Sequence, residues 1–200
     1  MITIEEARQL YGGEDAAHDF DHVVRTLELA ERIGEAEGAD LEVVRTATLL
    51  HDIAHGKPDH HLGSAQRARE LLAGRPLAFV EAVATAIEAH RFRAEPQPHT
   101  LEAQVVYDAD KLDAIGAVGV ARAFAHSAHL GHPLMVPLDE VDAESLESGP
   151  GHSAVHEFVF KLFRLRDHLY TQTAREIARG RHEFMVAFFQ QLDGELRGER

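Results

Sequence analysis

Along most of the chain apolar residues recur every three to four positions, the period of a helix with one buried face. Over 22–37, Val23, Leu27, Ala30 and Ile33 fall on one such face, and Gly38 is a stop signal. Asp40 is placed to cap a second helix running through Val43, Val44, Ala47 and Leu50 toward residue 54. Gly56, Pro58 and Gly63 then mark a loop. Shorter helices are expected at about 64–73 and 77–90, with a break at AEPQPHT, 94–100. Thr100 opens a helix carrying YDADKLDAIG, and a further helix covers about 117–130.

The stretch 131–151, GHPLMVPLDEVDAESLESGPG, loses the periodicity and holds three prolines and three glycines. A connection of that length is usually functional or mobile, and a mobile loop is the expectation here rather than an ordered lid. Periodicity returns over 152–198 as two long amphipathic helices. The first carries Phe158, Val159, Leu162, Phe163 and Leu165, the second Ile177, Phe184, Val186, Phe188, Phe189 and Leu192. Such stripes read as core packing, with a homodimer interface as the alternative. There is no strand-period run, internal repeat or low-complexity tract. The pattern predicts an all-α protein of at least seven helices.

Composition narrows this. A length of 200 residues with 44% hydrophobic content suits one domain, 1–200, with a packed core. The absence of cysteine excludes disulfides, thiolate-bound zinc and iron–sulfur clusters, so any metal must be held by His, Asp or Glu. A net charge of −14 repels a phosphate backbone and argues against nucleic-acid binding. It does not exclude a small anion held by a metal and a few basic side chains. The start, MITIEEARQLYGGEDAAHDF, has no basic n-region and no apolar h-region, and no stretch has the apolar length of a membrane span. A cytoplasmic protein without a membrane partner is expected. The 15 histidines, several between positions 51 and 61, direct attention to metal chemistry.

Three strings carry candidate ligands. In TATLLHDIAHG, His51 and Asp52 directly follow an apolar run, where polar groups are costly if buried without partners. Alone, the pair reads equally as a helix end with a solvated Asp. In HDFDHVVRT, His22 opens a helix, with His18 four residues earlier. A simple cap region is the alternative. In VVYDADKLDAIG, Asp110 and Asp113 are three apart and neighbours on a helix face. An acidic turn stabilised by the helix dipole would look the same. Taken together, two imidazoles and two carboxylates form a mixed N/O set that suits Mn²⁺, Fe²⁺, Co²⁺, Ni²⁺ or Mg²⁺, with zinc admissible. Four protein ligands leave room for water and a phosphate oxygen.

The order H…HD…D, with the last Asp in DADKLDA, resembles the HD-domain superfamily of metal-dependent phosphohydrolases. HDFDHVVR, LLHDIA, DADKLDAIGAVGVARAF and TAREIARGRHEFM are all similar to its small stand-alone bacterial nucleotide pyrophosphohydrolases, so the resemblance spans nearly the whole chain. It implies an HD-domain-like helical bundle, with a metal-site core over about 18–130 and a C-terminal helical extension over about 152–198. It also implies a divalent ion on His22, His51, Asp52 and Asp110, and hydrolysis of a phosphate ester or anhydride.

In one respect the chain departs from that pattern. Relatives often carry an acid four residues after the His of the HD pair, as helper in water activation, and here that position is His55. Its imidazole could serve as general base or acid, or bind a second metal or a phosphate, with Asp113 or Asp59 as substitutes in the helper role. Lys111 and Arg25 adjoin proposed ligands and are candidate substrate contacts, as are His18 and His90. The expected reaction is pyrophosphohydrolysis of a nucleoside or deoxynucleoside triphosphate, with a nucleoside monophosphate phosphatase second.

Two other readings compete. HDIAH is similar to the zincin pattern with Asp for Glu, which would make His51 and His55 zinc ligands and Asp52 the base. It gives His22 and Asp110 no task. The other is a non-catalytic nucleotide- or metal-binding module of the same fold, supported only by the missing acid.

Overall fold

A computed structural model describes residues 2–11, 20–54, 56, 59–92, 95–141 and 151–199. Within them the chain is helical, with no strand among the described residues. His18 and His55 lie outside the described residues. The chain divides into two compact units. The first comprises Met1–Leu112 with Leu169–Ala174, and the second Asp113–His168 with Arg175–Arg200.

The first unit is built on α1 (Ile4–Arg8), α2 (Phe20–Glu37), α3 (Leu41–Leu50), α4 (His60–Leu71), α5 (Leu77–Glu88) and most of α6 (Leu101–Asp113). Asp40 caps α3 as expected, its carboxylate accepting from the Glu42 and Val43 amides at 2.9 and 3.3 Å. Gly38 turns the chain out of α2 at φ +78°, a conformation that favours glycine. Thr100 opens α6 by accepting from the Ala103 amide. α2 packs on α3, α3 on α5 and α4 on α5. Val43, Ala47, Leu50, Val83, Ile87 and Val106 lie in one shared core. Ala7, Phe20, Val23, Leu27 and Leu49 fill a second cluster between α1, α2 and α3.

Two boundaries differ from the sequence expectation: α3 ends at Leu50 rather than toward residue 54, and α4 begins early. Gly63 lies inside α4, which starts at His60 rather than about residue 64. A Cβ at position 63 would stand 3.2 Å from that of Ala54, so this glycine serves a close approach and not a loop. The shift matters because it makes His60 the first residue of a helix.

The second unit contains α7 (Gly116–His129), α8 (Ala154–Glu157), a wide π-type turn (Phe158–Leu162), α9 (Phe163–Leu165) and most of α10 (Gln172–Leu196). The first of the two C-terminal helices is therefore interrupted rather than one long α-helix. The wide turn shifts its buried face. Phe158, Leu162 and Leu165 are buried, whereas Phe163 is left 40% exposed. Phe158 stacks on Phe189 of α10 with ring centroids 4.1 Å apart. Up to residue 141 the aperiodic stretch is tied to α10, since the Leu138 amide donates to Asp193 at 2.8 Å and Arg197 pairs with Asp139. Residues 142–150 lie outside the described residues. No helix among the described residues is long and apolar enough to cross a membrane.

Candidate metal centre

Both α3 and α5 run into a histidine. His51 follows the last residue of α3, and His90 lies just beyond the end of α5. The final carbonyls of a helix have no partner within it. His51 Nδ1 meets one of them, the Thr48 carbonyl, at 2.7 Å, and His90 Nδ1 meets that of Ile87 at 2.6 Å. A carbonyl only accepts, so in each ring Nδ1 carries the proton and Nε2 is left as a lone-pair donor aimed away from its own helix. His22 is oriented similarly from α2, its Nδ1 lying 3.3 Å from the Thr26 hydroxyl one turn on.

The three Nε2 atoms turn toward two carboxylates. His22 Nε2 is 3.3 Å from Asp110 Oδ1, and His51 Nε2 is 3.6 Å from Asp52 Oδ2. Ligand atoms of His22, His51 and Asp52 all lie within 4.8 Å of one another. The other oxygen of Asp52 faces His60 Nε2 at 3.5 Å and His90 Nε2 at 3.4 Å. Asp52, His60 and His90 thus form a second group able to hold an ion, sharing Asp52 with the first. Donor atoms sharing one ion with bonds of roughly 2.1 Å stand about 3 Å apart, so small movements would close either group.

The electrostatics favour ligation over protonation. Burial drives the His51 pKa down to about 4, outweighing the pull of Asp52 in the other direction, so the ring is neutral at pH 7. Burial pushes the Asp52 carboxyl up, but the His51 and His90 rings that face its two oxygens outweigh it and hold the group well below the usual range. Asp110 behaves likewise: burial opposes ionisation, and Lys111, with Nζ at 2.5 Å, and His22 overcome it. His51 Nε2 is buried and makes no hydrogen bond. A neutral, buried nitrogen lone pair beside the Asp52 carboxylate fits a divalent cation and would otherwise be a desolvation cost with no return.

Of the remaining sequence candidates, Lys111 adjoins the site, with Nζ also 5.2 Å from the Tyr107 ring centroid. Arg25 is half-buried on α2, one turn after His22. Asp113 belongs to the second unit, where it takes Arg122 Nη1 at 2.7 Å. Asp59 is exposed, with Arg91 Nη1 3.7 Å away. His60 was not foreseen. Its signal in the sequence is faint: a His-His pair that a misplaced helix start assigns to a loop.

The HD-domain profile matches residues 19–115. The chain is 38% identical over 192 residues to YpgQ of Bacillus subtilis, covering 92% of this chain and 87% of YpgQ. The crystal structure of that protein in complex with ADP aligns at 36% identity with a TM-score of 0.76, covering 99% of this chain and 100% of the other. A predicted HD superfamily hydrolase from an uncultured Thermotogales bacterium aligns at 30% identity and a TM-score of 0.66, covering 96% of this chain and 90% of the other. The chain belongs to the HD-domain superfamily and is a metal-dependent phosphohydrolase.

Proposed function

We propose that His22, His51, Asp52 and Asp110 hold one divalent ion, and that the protein hydrolyses small nucleotides. The leading reaction is attack of water on the α-phosphorus of a nucleoside or deoxynucleoside triphosphate, with the α–β bridging oxygen leaving on pyrophosphate. The observation that carries the ion assignment is the buried His51 Nε2 that makes no hydrogen bond. The nucleotide assignment leans on the ADP complex of YpgQ, whose sequence this chain matches over nearly its whole length.

The chain's own residues divide the work. His51 stays neutral and Asp52 and Asp110 stay ionised at pH 7, so the donor set is ready without prior proton loss. When bound, the ion supplies Lewis acidity and a water acidic enough to deprotonate near neutral pH. Lys111 sits on Asp110 and can transfer one of its three N–H donors to a substrate phosphate oxygen. Arg25, His90 and His18 complete the proposed phosphate contacts. Asp113 is engaged by Arg122, which leaves His55 as the proposed proton acceptor for the attacking water.

The test is a nucleotide screen with Mn²⁺, Mg²⁺, Co²⁺, Ni²⁺, Fe²⁺ and Zn²⁺ in which phosphate and pyrophosphate are separated among the products. Pyrophosphate with monophosphate is expected. Phosphate alone, from monophosphates, would select the phosphatase reading. No release from any nucleotide would overturn the substrate class.

A further inference from the structure

Tyr11 stands just beyond α1 and its phenol reaches the turn that carries His51 and Asp52. The ring packs edge-on against Phe20, with centroids 5.3 Å apart. A phenylalanine would pack there equally well, so the ring does not explain the hydroxyl, whose burial is costly without partners. Its partners are both backbone groups of the metal turn. The hydroxyl donates to the Leu49 carbonyl at 3.1 Å and accepts from the Asp52 amide at 3.4 Å.

Those two groups need an outside partner for a local reason. A continuing helix would bring the Ile53 amide to the Leu49 carbonyl, but that amide turns to Leu50 instead, at 3.4 Å. One residue earlier, the Thr48 carbonyl takes His51 Nδ1. The side chain that becomes a ligand thus uses helix-end bonding capacity, and the backbone next to it is completed from α1. The donor and acceptor roles are stable with pH, because burial and then the nearby Asp52 charge push the Tyr11 hydroxyl well above its ordinary pKa.

We propose that Tyr11 is a positioning residue for the metal centre, its hydroxyl fixing the backbone from Leu49 to Asp52 so that both carboxylate oxygens of Asp52 face their histidines. This rests on the assignment of Asp52 as a metal ligand. Asp52 is the residue where orientation matters most, since one oxygen looks toward His51 and the other toward His60 and His90. Groups that orient ligands typically change metal affinity by about 10–100-fold when removed.

The test compares wild type, Tyr11→Phe and Leu10→Ala. Leu10 packs against the same core as Tyr11 and carries no polar side-chain group. Mn²⁺ affinity is measured by calorimetry, and exchange of the Asp52 amide by NMR on metal-free protein. Tyr11→Phe is expected to weaken Mn²⁺ binding about 10-fold and to lose protection at the Asp52 amide, with a melting temperature no lower than that of Leu10→Ala. Leu10→Ala should melt earlier yet bind Mn²⁺ like wild type. Unchanged affinity or unchanged exchange in Tyr11→Phe overturns the proposal, as does an equal loss of affinity in Leu10→Ala. A His51→Ala variant that binds Mn²⁺ as well as wild type would instead defeat the site assignment, while the amide exchange still reads the hydroxyl's role.

Discussion

His51 uses its two nitrogens in opposite directions, one to close its own helix and one toward the carboxylates, and this makes its protonation state a property of the fold. Its pKa in the folded chain is about 4, against 6.5 for an exposed histidine. Between those values the unfolded chain holds more protons than the folded one. Stability of the metal-free protein should therefore fall as pH drops from about 6.5 toward 4, by about 3 kcal/mol at most from this group, and be unaffected by it above 6.5. Urea midpoints across that range for wild type and His51→Leu check this: the variant should show a flatter profile. Asp52 offers a second test at this scale, because it separates the HD-type site from the zincin pattern. As a ligand, Asp52→Ala should lose the ion and with it turnover. His55→Ala should keep the ion and slow turnover by about 10²–10⁴-fold, the usual range for a general acid or base. Metal content and rates of the two variants decide it, and a metal-replete Asp52→Ala beside a metal-free His55→Ala would contradict the assignment.

At the scale of elements, α6 joins the site to the start of α10 through alternate acids of one string. Asp110 points to His22, whereas Asp108 is fully buried and accepts from the Tyr170 and Thr171 amides and from the Thr171 hydroxyl, the last two at 2.7 Å. Asp108 thus anchors the residues that lead into α10, and Asp108→Ala should cost about 2–4 kcal/mol by leaving those buried donors without a partner. Thermal melts of Asp108→Ala and Asp108→Asn measure it, with the Asn variant expected between Ala and wild type. The sequence made most of these elements legible, because Asp40, Thr100 and Gly38 are local signals that act on the nearest few residues. It misplaced the start of α4, because Gly63 answers to Ala54 across a close contact that no local pattern encodes. It also took the helix around Phe158 as regular, since the hydrophobic spacing there does not reveal the wide turn. That His22, His51 and Asp52 come together, with Asp110 beside His22, could be anticipated from their places beside apolar runs, whereas Asp52 facing His60 and His90 depends on how α4 and α5 pack.

For the molecule as a whole, the proposed centre lies entirely within the unit formed by Met1–Leu112 and Leu169–Ala174, and its candidate histidines and acids come from α2, α4, α6 and the ends of α3 and α5. In the unfolded chain these groups are scattered over nearly ninety positions, so an ion that uses them together binds the folded state in strong preference. Binding of that kind stabilises by mass action, by about 2.7 kcal/mol when the free ion is at 100 times its dissociation constant. For a chain of this size each kcal/mol raises the melting temperature by about 2–4 °C, so saturating Mn²⁺ should raise it by about 5–10 °C. The net charge of −14 adds a non-specific contribution, because any divalent cation screens an acidic surface. Two comparisons separate the effects. Ca²⁺, which prefers an oxygen-only cage, should reproduce only the screening part. Asp110→Asn, which removes one ligand charge and leaves the other acids in place, should lose most of the Mn²⁺ shift. Equal shifts with Mn²⁺ and Ca²⁺ in wild type, or an undiminished Mn²⁺ shift in Asp110→Asn, would mean that the ion stabilises the surface and not this centre.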